Sequence, residues 1–104
     1  MTTTALPDLE ALRQSASQAA ALLRAVGNEH RLMVLCLLLQ QGELSVGALV
    51  EEVGLSQSAL SQHLARMRDD GLVTFRRESQ TVYYRIANPA VQRLIATLKD
   101  IYCP

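Results

Sequence analysis

Long hydrophobic runs are missing from this chain. No stretch reaches the roughly 20 apolar residues that a membrane-spanning helix requires, and the run Leu32 to Leu39 is too short to cross a bilayer. The opening Met1-Thr2-Thr3-Thr4 lacks the basic region that begins a secretory signal. The expected location is therefore the cytoplasm, with no membrane contact. Cysteine is scarce, at two residues in 104. In a reducing compartment two cysteines do not form a structural disulfide by default, although a switchable bond stays open to them. There is no Cys-x-x-Cys pair and no recognisable set of nucleophile, base and orienting group, so an enzyme is not expected. Net charge is absent as well, because ten basic residues balance ten acidic ones. That balance argues against a nonspecific nucleic-acid coat.

What is present suits one domain over residues 1–104, with residues 1–7 read as a flexible tail. Hydrophobic residues make up 49% of the chain, enough for a single core. The charges are segregated. From Asn28 to Leu55, Glu29, Glu43, Glu51 and Glu52 face only Arg31. From Ser56 to Ile86, Arg66, Arg68, Arg76, Arg77 and Arg85 outnumber Asp69, Asp70 and Glu78. Such asymmetry suits a molecule that meets phosphates with one edge only.

Leu6, Leu9, Leu12, Ala16, Ala19, Leu23 and Val26 recur at steps of three and four, which predicts an amphipathic first helix ending near Gly27. Asn28 then caps a second helix whose centre, Leu32 to Leu39, is apolar on every side and should be surrounded by other elements. Ser45 starts a short third helix with Val46, Leu49, Val50 and Val53 inward, and Gly54 ends it. Ser56 caps a fourth helix with Leu60, Leu64 and Met67 on one face. Ser58, Gln62 and Ala65 project from the other face, with Ser61 beside them. Leu72 to Arg77 and Thr81 to Ile86 read as strands around a turn at Glu78-Ser79-Gln80. Asn88-Pro89 opens a last helix with Val91, Leu94, Ile95, Leu98, Ile101 and Tyr102 on one stripe.

The result is a mainly α fold with a small β-hairpin: two helices joined by a glycine turn, followed by an arginine-bearing wing, which is a winged helix-turn-helix. The first and last helices carry apolar stripes that the central core does not need. They are expected to pair two copies about a twofold axis as a homodimer. Two recognition helices would then address half-sites about one helical turn apart.

Ser56, Gln57, Ser58, Ser61 and Gln62 at the start of the fourth helix are short or amide side chains suited to base edges and phosphates. Arg66, Arg76, Arg77 and Gln80 would contact the DNA backbone or the neighbouring minor groove. Each residue also has a plainer use as a helix cap, a solvated face or surface charge. The combination of cap, glycine turn, polar-faced helix and basic hairpin points to double-stranded operator DNA. His63 falls nearer the buried flank, as a packing or phosphate-contacting side chain rather than a metal ligand.

Several motifs in order resemble the ArsR/SmtB family of bacterial repressors over nearly the whole chain. They are Gly27-Asn28-Glu29-His30-Arg31-Leu32, Glu43-Leu44-Ser45-Val46-Gly47-Ala48-Leu49, Leu55-Ser56-Gln57-Ser58-Ala59-Leu60-Ser61-Gln62-His63-Leu64 and Asp70-Gly71-Leu72-Val73 followed by Val82-Tyr83-Tyr84. The resemblance implies a dimeric winged-helix repressor released by an inducer, with four helices, a hairpin and a fifth helix in that order. Where family members that sense arsenic and cadmium carry Cys-x-Cys, this chain has Ser45-Val46-Gly47. Where zinc and nickel sensors carry several ligands on the last helix, it offers only Asp100. No metal site is therefore expected. Cys36 and Cys103 resemble the thiol-based branch of the family. That resemblance implies that reactive sulfur species or oxidants link the two cysteines within one protomer and weaken DNA binding, through a disulfide or a longer polysulfide. A metal- or haem-responsive repressor of the same fold remains an alternative. So do an anti-silencer that activates transcription and a winged helix that binds mainly proteins.

Overall fold

A computed structural model describes residues 8–103; the reading of residues 1–7 as a tail, and Leu6 within the first stripe, lie outside the described residues. The elements are α1 (Leu9–Val26), α2 (Glu29–Gln41), β1 (Leu44–Ser45), α3 (Val46–Val53), α4 (Gln57–Asp69), β2 (Val73–Glu78), β3 (Thr81–Ile86) and α5 (Pro89–Tyr102). This is the expected winged-helix order with one addition. The two-residue β1 pairs antiparallel with β3, Leu44 opposite Tyr84, so the wing is the outer part of a three-stranded sheet ordered β1-β3-β2.

The helix boundaries follow from local chemistry. Asn28 Oδ1 accepts hydrogen bonds from the backbone N–H groups of His30 (3.0 Å) and Arg31 (3.1 Å), and Ser45 Oγ accepts from Ala48 N (3.1 Å). Ser56 Oγ accepts from Ala59 N (3.1 Å) and Asn88 Oδ1 from Ala90 N (2.8 Å). Each bond satisfies an N–H that the first helical turn leaves without a partner.

Between α3 and α4, Gly54 takes a φ of +79° and its N–H bonds back to the Val50 carbonyl at 3.3 Å. A Cβ there would meet nothing within 4 Å, so the demand is purely on backbone conformation. Gly54→Ala is expected to lower stability by roughly 1–2 kcal/mol, the cost of a left-handed L-residue. A shift in denaturant midpoint at unchanged m-value would show it.

Val34, Leu35 and Leu38 of α2, Leu49 of α3, Leu60, Leu64 and Met67 of α4, Leu72 and Val73, and Val91 and Ile95 of α5 make up most of the core, each at most 2% exposed. The expectation that α2 is enclosed all round is corrected on one side. Met33 is 42% exposed and Cys36 and Leu37 are half-buried, because nothing among the described residues covers that face. On α1 only Val26 is buried, while Leu9 and Leu23 are 59% and 56% exposed. The expectation that the core does not need the stripe of the last helix is corrected for most of α5, because Val91 and Ile95 are buried in the core and Leu94 and Leu98 pack against it, which leaves Ile101 and Tyr102 at its end exposed.

The hairpin differs in detail from its sequence reading. The first strand begins at Val73 and runs through Glu78, which pairs with Thr81, leaving the two-residue turn Ser79-Gln80. Ser79 takes a positive φ of 57°, as the first position of a tight hairpin turn with the favoured twist requires.

Candidate nucleic-acid interface

Helix α3, the turn at Gly54 and α4 form the helix-turn-helix, and β2 and β3 stand beside it as the wing. Burying Leu60, Leu64 and Met67 fixes the rotation of α4. At 100° per residue this sends Ser58 and Gln62 directly away from the core and turns Gln57 and Ser61 toward the wing. Ser56, Gln57, Ser58, Ser61 and Gln62 are all exposed. Gln57 and Ser61 line a groove of about 700 Å³ with Arg77 and Gln80 of the wing and Arg68 of α4. The structure thus brings four of the expected contact residues into one cleft and adds Arg68. That side chain lies 5.4 Å over the Phe75 ring, which holds the guanidinium between helix and wing. Arg68 shares the spacing of Gln57 and Ser61 along one helix flank, and this periodicity was the available signal.

Arg76 and Arg77 part company. Alternation along β2 places Arg77 on the same face as Val73 and Phe75, toward α4, and Arg76 on the opposite face. There Arg76 donates two hydrogen bonds to Glu43 (both 2.8 Å) and one to Glu78 (2.7 Å), and it stacks 4.6 Å over Tyr83. With two carboxylates on one guanidinium, Arg76 fastens the wing to the segment before β1 and offers little charge to a phosphate. Arg66 lies on the flank of α4 away from the wing, 3.8 Å from Asp70.

The hydrogen bond from Arg76 holds the Glu43 carboxyl below its ordinary value of 4.5. A depressed carboxylate contributes stability that is fully present above its unfolded value and is lost as pH falls through the folded one. The wing anchor is therefore unaffected across neutral pH and fails only in acid. Glu43→Gln is expected to remove that part of the acid-side loss of stability. Thermal melts across the acid range, compared with the parent chain, would reveal it.

The two thiols lie on packed helices. Cys36 is half-buried on α2, and Cys103 is exposed at the end of α5, where its N–H bonds to the Lys99 carbonyl at 2.7 Å. Burial pushes the Cys36 thiol up, the charge of Cys103 pushes it further, and Lys99 pulls it back. Both cysteines are free. Among the described residues no three His, Cys, Asp or Glu side chains come together as a metal site. Ser45, the first residue of the Ser45-Val46-Gly47 segment, caps α3. No helix of the described residues is long and apolar enough to cross a membrane.

Comparison with known proteins agrees with this geometry. The model of the bacterial regulatory protein arsR family matches residues 28–74, from the cap of α2 into β2. The HTH-type transcriptional regulator YgaV of Escherichia coli is 50% identical over 99 residues, spanning 95% of this chain and all of that one. A structure of reduced HlyU from Vibrio cholerae superposes with a TM-score of 0.88 at 48% identity, covering 92% of this chain and all of its own. The transcriptional repressor BigR from Xylella fastidiosa gives 0.83 at 34% identity, over 93% and 98% of the two chains. With its helix-turn-helix, its wing and these whole-length likenesses, the chain belongs to the ArsR family of DNA-binding transcriptional regulators.

Proposed function

We propose that this regulator is a homodimeric repressor that leaves its operator when Cys36 and Cys103 become linked. The observation that carries the reading is the placement of two free thiols, half-buried Cys36 on α2 and exposed Cys103 at the end of α5, on helices that pack against each other. The exposed stripes of α1 and of the end of α5 supply the surface for a second copy. Ser56, Gln57, Ser58, Ser61 and Gln62 would read the major groove, with Arg68, Arg77 and Gln80 on the flanking backbone. That one relative was solved in a form described as reduced HlyU supports a redox role for this branch.

The exposed Cys103 thiolate attacks the outer sulfur of a hydropersulfide, RSSH, and the thiol RSH leaves. The Cys36 thiolate then attacks the inner sulfur of the resulting Cys103 persulfide, releasing hydrosulfide and closing a disulfide between α2 and α5. Cellular thiols reverse it. Because α2 and α5 pack against each other and the end of α5 offers exposed apolar residues for pairing, the link would shift the pairing of protomers and the separation of the two α4 helices.

Reduced protein is expected to bind its own promoter with strong salt dependence and to lose affinity by roughly 5- to 150-fold after a persulfide donor, a coupling of ~1–3 kcal/mol. A gel-shift titration with and without donor reads this directly, and unchanged affinity would contradict it. HlyU of Vibrio cholerae is described as a transcriptional activator, which favours a second reading: the same DNA binding displaces a silencer and raises transcription. A reporter with and without the regulator separates the two by sign.

A further inference from the structure

Beneath the reading helix lies a polar link between elements that otherwise meet through apolar side chains. Arg31, on the same helix as Cys36, donates from Nε to His63 Nδ1 of α4 at 3.0 Å and from Nη1 to the Ala25 carbonyl at the end of α1 at 3.1 Å. The His30 ring stands 6.0 Å from that of His63. One guanidinium thus ties the last turn of α1, the thiol-bearing α2 and the recognition helix together. His63 sits on the flank of α4 opposite Gln57 and Ser61, so it sets how far the helix can roll without itself facing the groove lined by those residues.

We propose that the Arg31–His63 hydrogen bond is a positioning link that holds the recognition helix in register with α2, so that breaking it weakens operator binding. This rests on the DNA-binding reading above. A guanidinium has no acceptor, so His63 must present a bare Nδ1 and carry its proton on Nε2. Protonating the ring removes the acceptor and sets two cations face to face. The groups that act on His63 charge, Arg31 and His30, are both bases on α2. With burial as the larger cause, they hold His63 below its ordinary value of 6.5. On its own helix, the next turn carries Arg66, which pairs with Asp70 at the C-terminal cap of α4. The link is therefore intact at neutral pH and is lost as pH falls through the lowered value.

The sign of the effect separates the link from general electrostatics. A chain that gains positive charge on acidification binds a polyanion more tightly, whereas loss of the link weakens binding. Fluorescence-anisotropy titrations of operator DNA with the full reduced chain, between about pH 5.5 and pH 7.5, are expected to show affinity falling toward the acid end. His63→Phe should bind about tenfold more weakly at neutral pH and lack the acid-side fall. His63→Asn, whose side-chain oxygen reaches the Nδ1 position, should restore neutral-pH affinity to within about threefold and also lack the fall. A folded His63→Phe chain that matches the parent at every pH overturns the proposal. Nitrogen-15 spectra of the DNA-free protein provide a separate reading. An Nε2–H tautomer titrating below the ordinary histidine range supports the link, and an Nδ1–H tautomer overturns it even if the chain binds no operator.

Discussion

Gln62→Ala is expected to weaken operator binding by ~1–3 kcal/mol, roughly 5- to 150-fold, and to relax base preference at one position of each half-site. The size follows from position. Gln62 projects from the middle of the exposed face of α4, opposite Leu60, Leu64 and Met67, all at most 1% exposed, which leaves its amide facing outward with no partner among the described residues. A side-chain amide can bond bidentately to adenine, and replacing it leaves the base edge unpaired. Arg77→Ala acts differently. As a backbone contact from the wing it should weaken all sequences alike and lower the salt slope by about 1. Arg76→Ala should leave the salt slope nearly unchanged, since its charge is already met by Glu43 and Glu78. Binding measured at several salt concentrations, on matched and mismatched operators, distinguishes the three. Equal salt slopes for Arg77→Ala and the parent chain would remove the wing from the interface.

Cys36→Ser is expected to keep full operator affinity in the reduced state and to abolish the response to a persulfide donor, a change of roughly 5- to 150-fold in the treated protein. Serine differs little in size, and Cys36 is half-buried rather than packed on all sides, so the fold tolerates the exchange. Cys103→Ser should have the same outcome by a different route, because the exposed thiol that meets the donor first is gone. Intact mass of the treated parent chain would show the loss of two hydrogens for a disulfide. A gain of two further sulfur atoms marks a tetrasulfide, which tolerates a wider separation than the roughly 4.4–6.8 Å between Cα atoms that a disulfide needs. A full response in Cys36→Ser would refute the thiol mechanism.

Local chemistry was legible in the sequence, and long-range pairing was not. Asn28, Ser45, Ser56 and Asn88 each cap the helix they were expected to cap, since a cap depends on residues only two or three positions away. The inward faces of α3 and α4 followed from helical period for the same reason. The strand β1 was invisible because two residues carry no alternation, and its existence depends on β3 lying some forty positions later. The stripe on α1 is apolar at helical spacing, yet among its described residues only Val26 is buried.

At the interface, treating Arg76 and Arg77 as a pair ignored the alternation that Val73 and Phe75 already implied, which sends the two side chains to opposite faces. Arg68 was noticed as charge, but its place beside Gln57 and Ser61 depends on the wing folding back over α4. The Arg31–His63 bond joins residues thirty-two positions apart and leaves no mark on either local pattern.

Two copies of α4 are expected to lie in successive major grooves on one face of the duplex. Hydroxyl-radical footprinting of the promoter with reduced protein tests it most directly. Two protected patches about 10–10.5 base pairs apart, centre to centre, are expected, both disappearing together after persulfide treatment. A single patch, or protection that persists when Cys36 and Cys103 are linked, would contradict it.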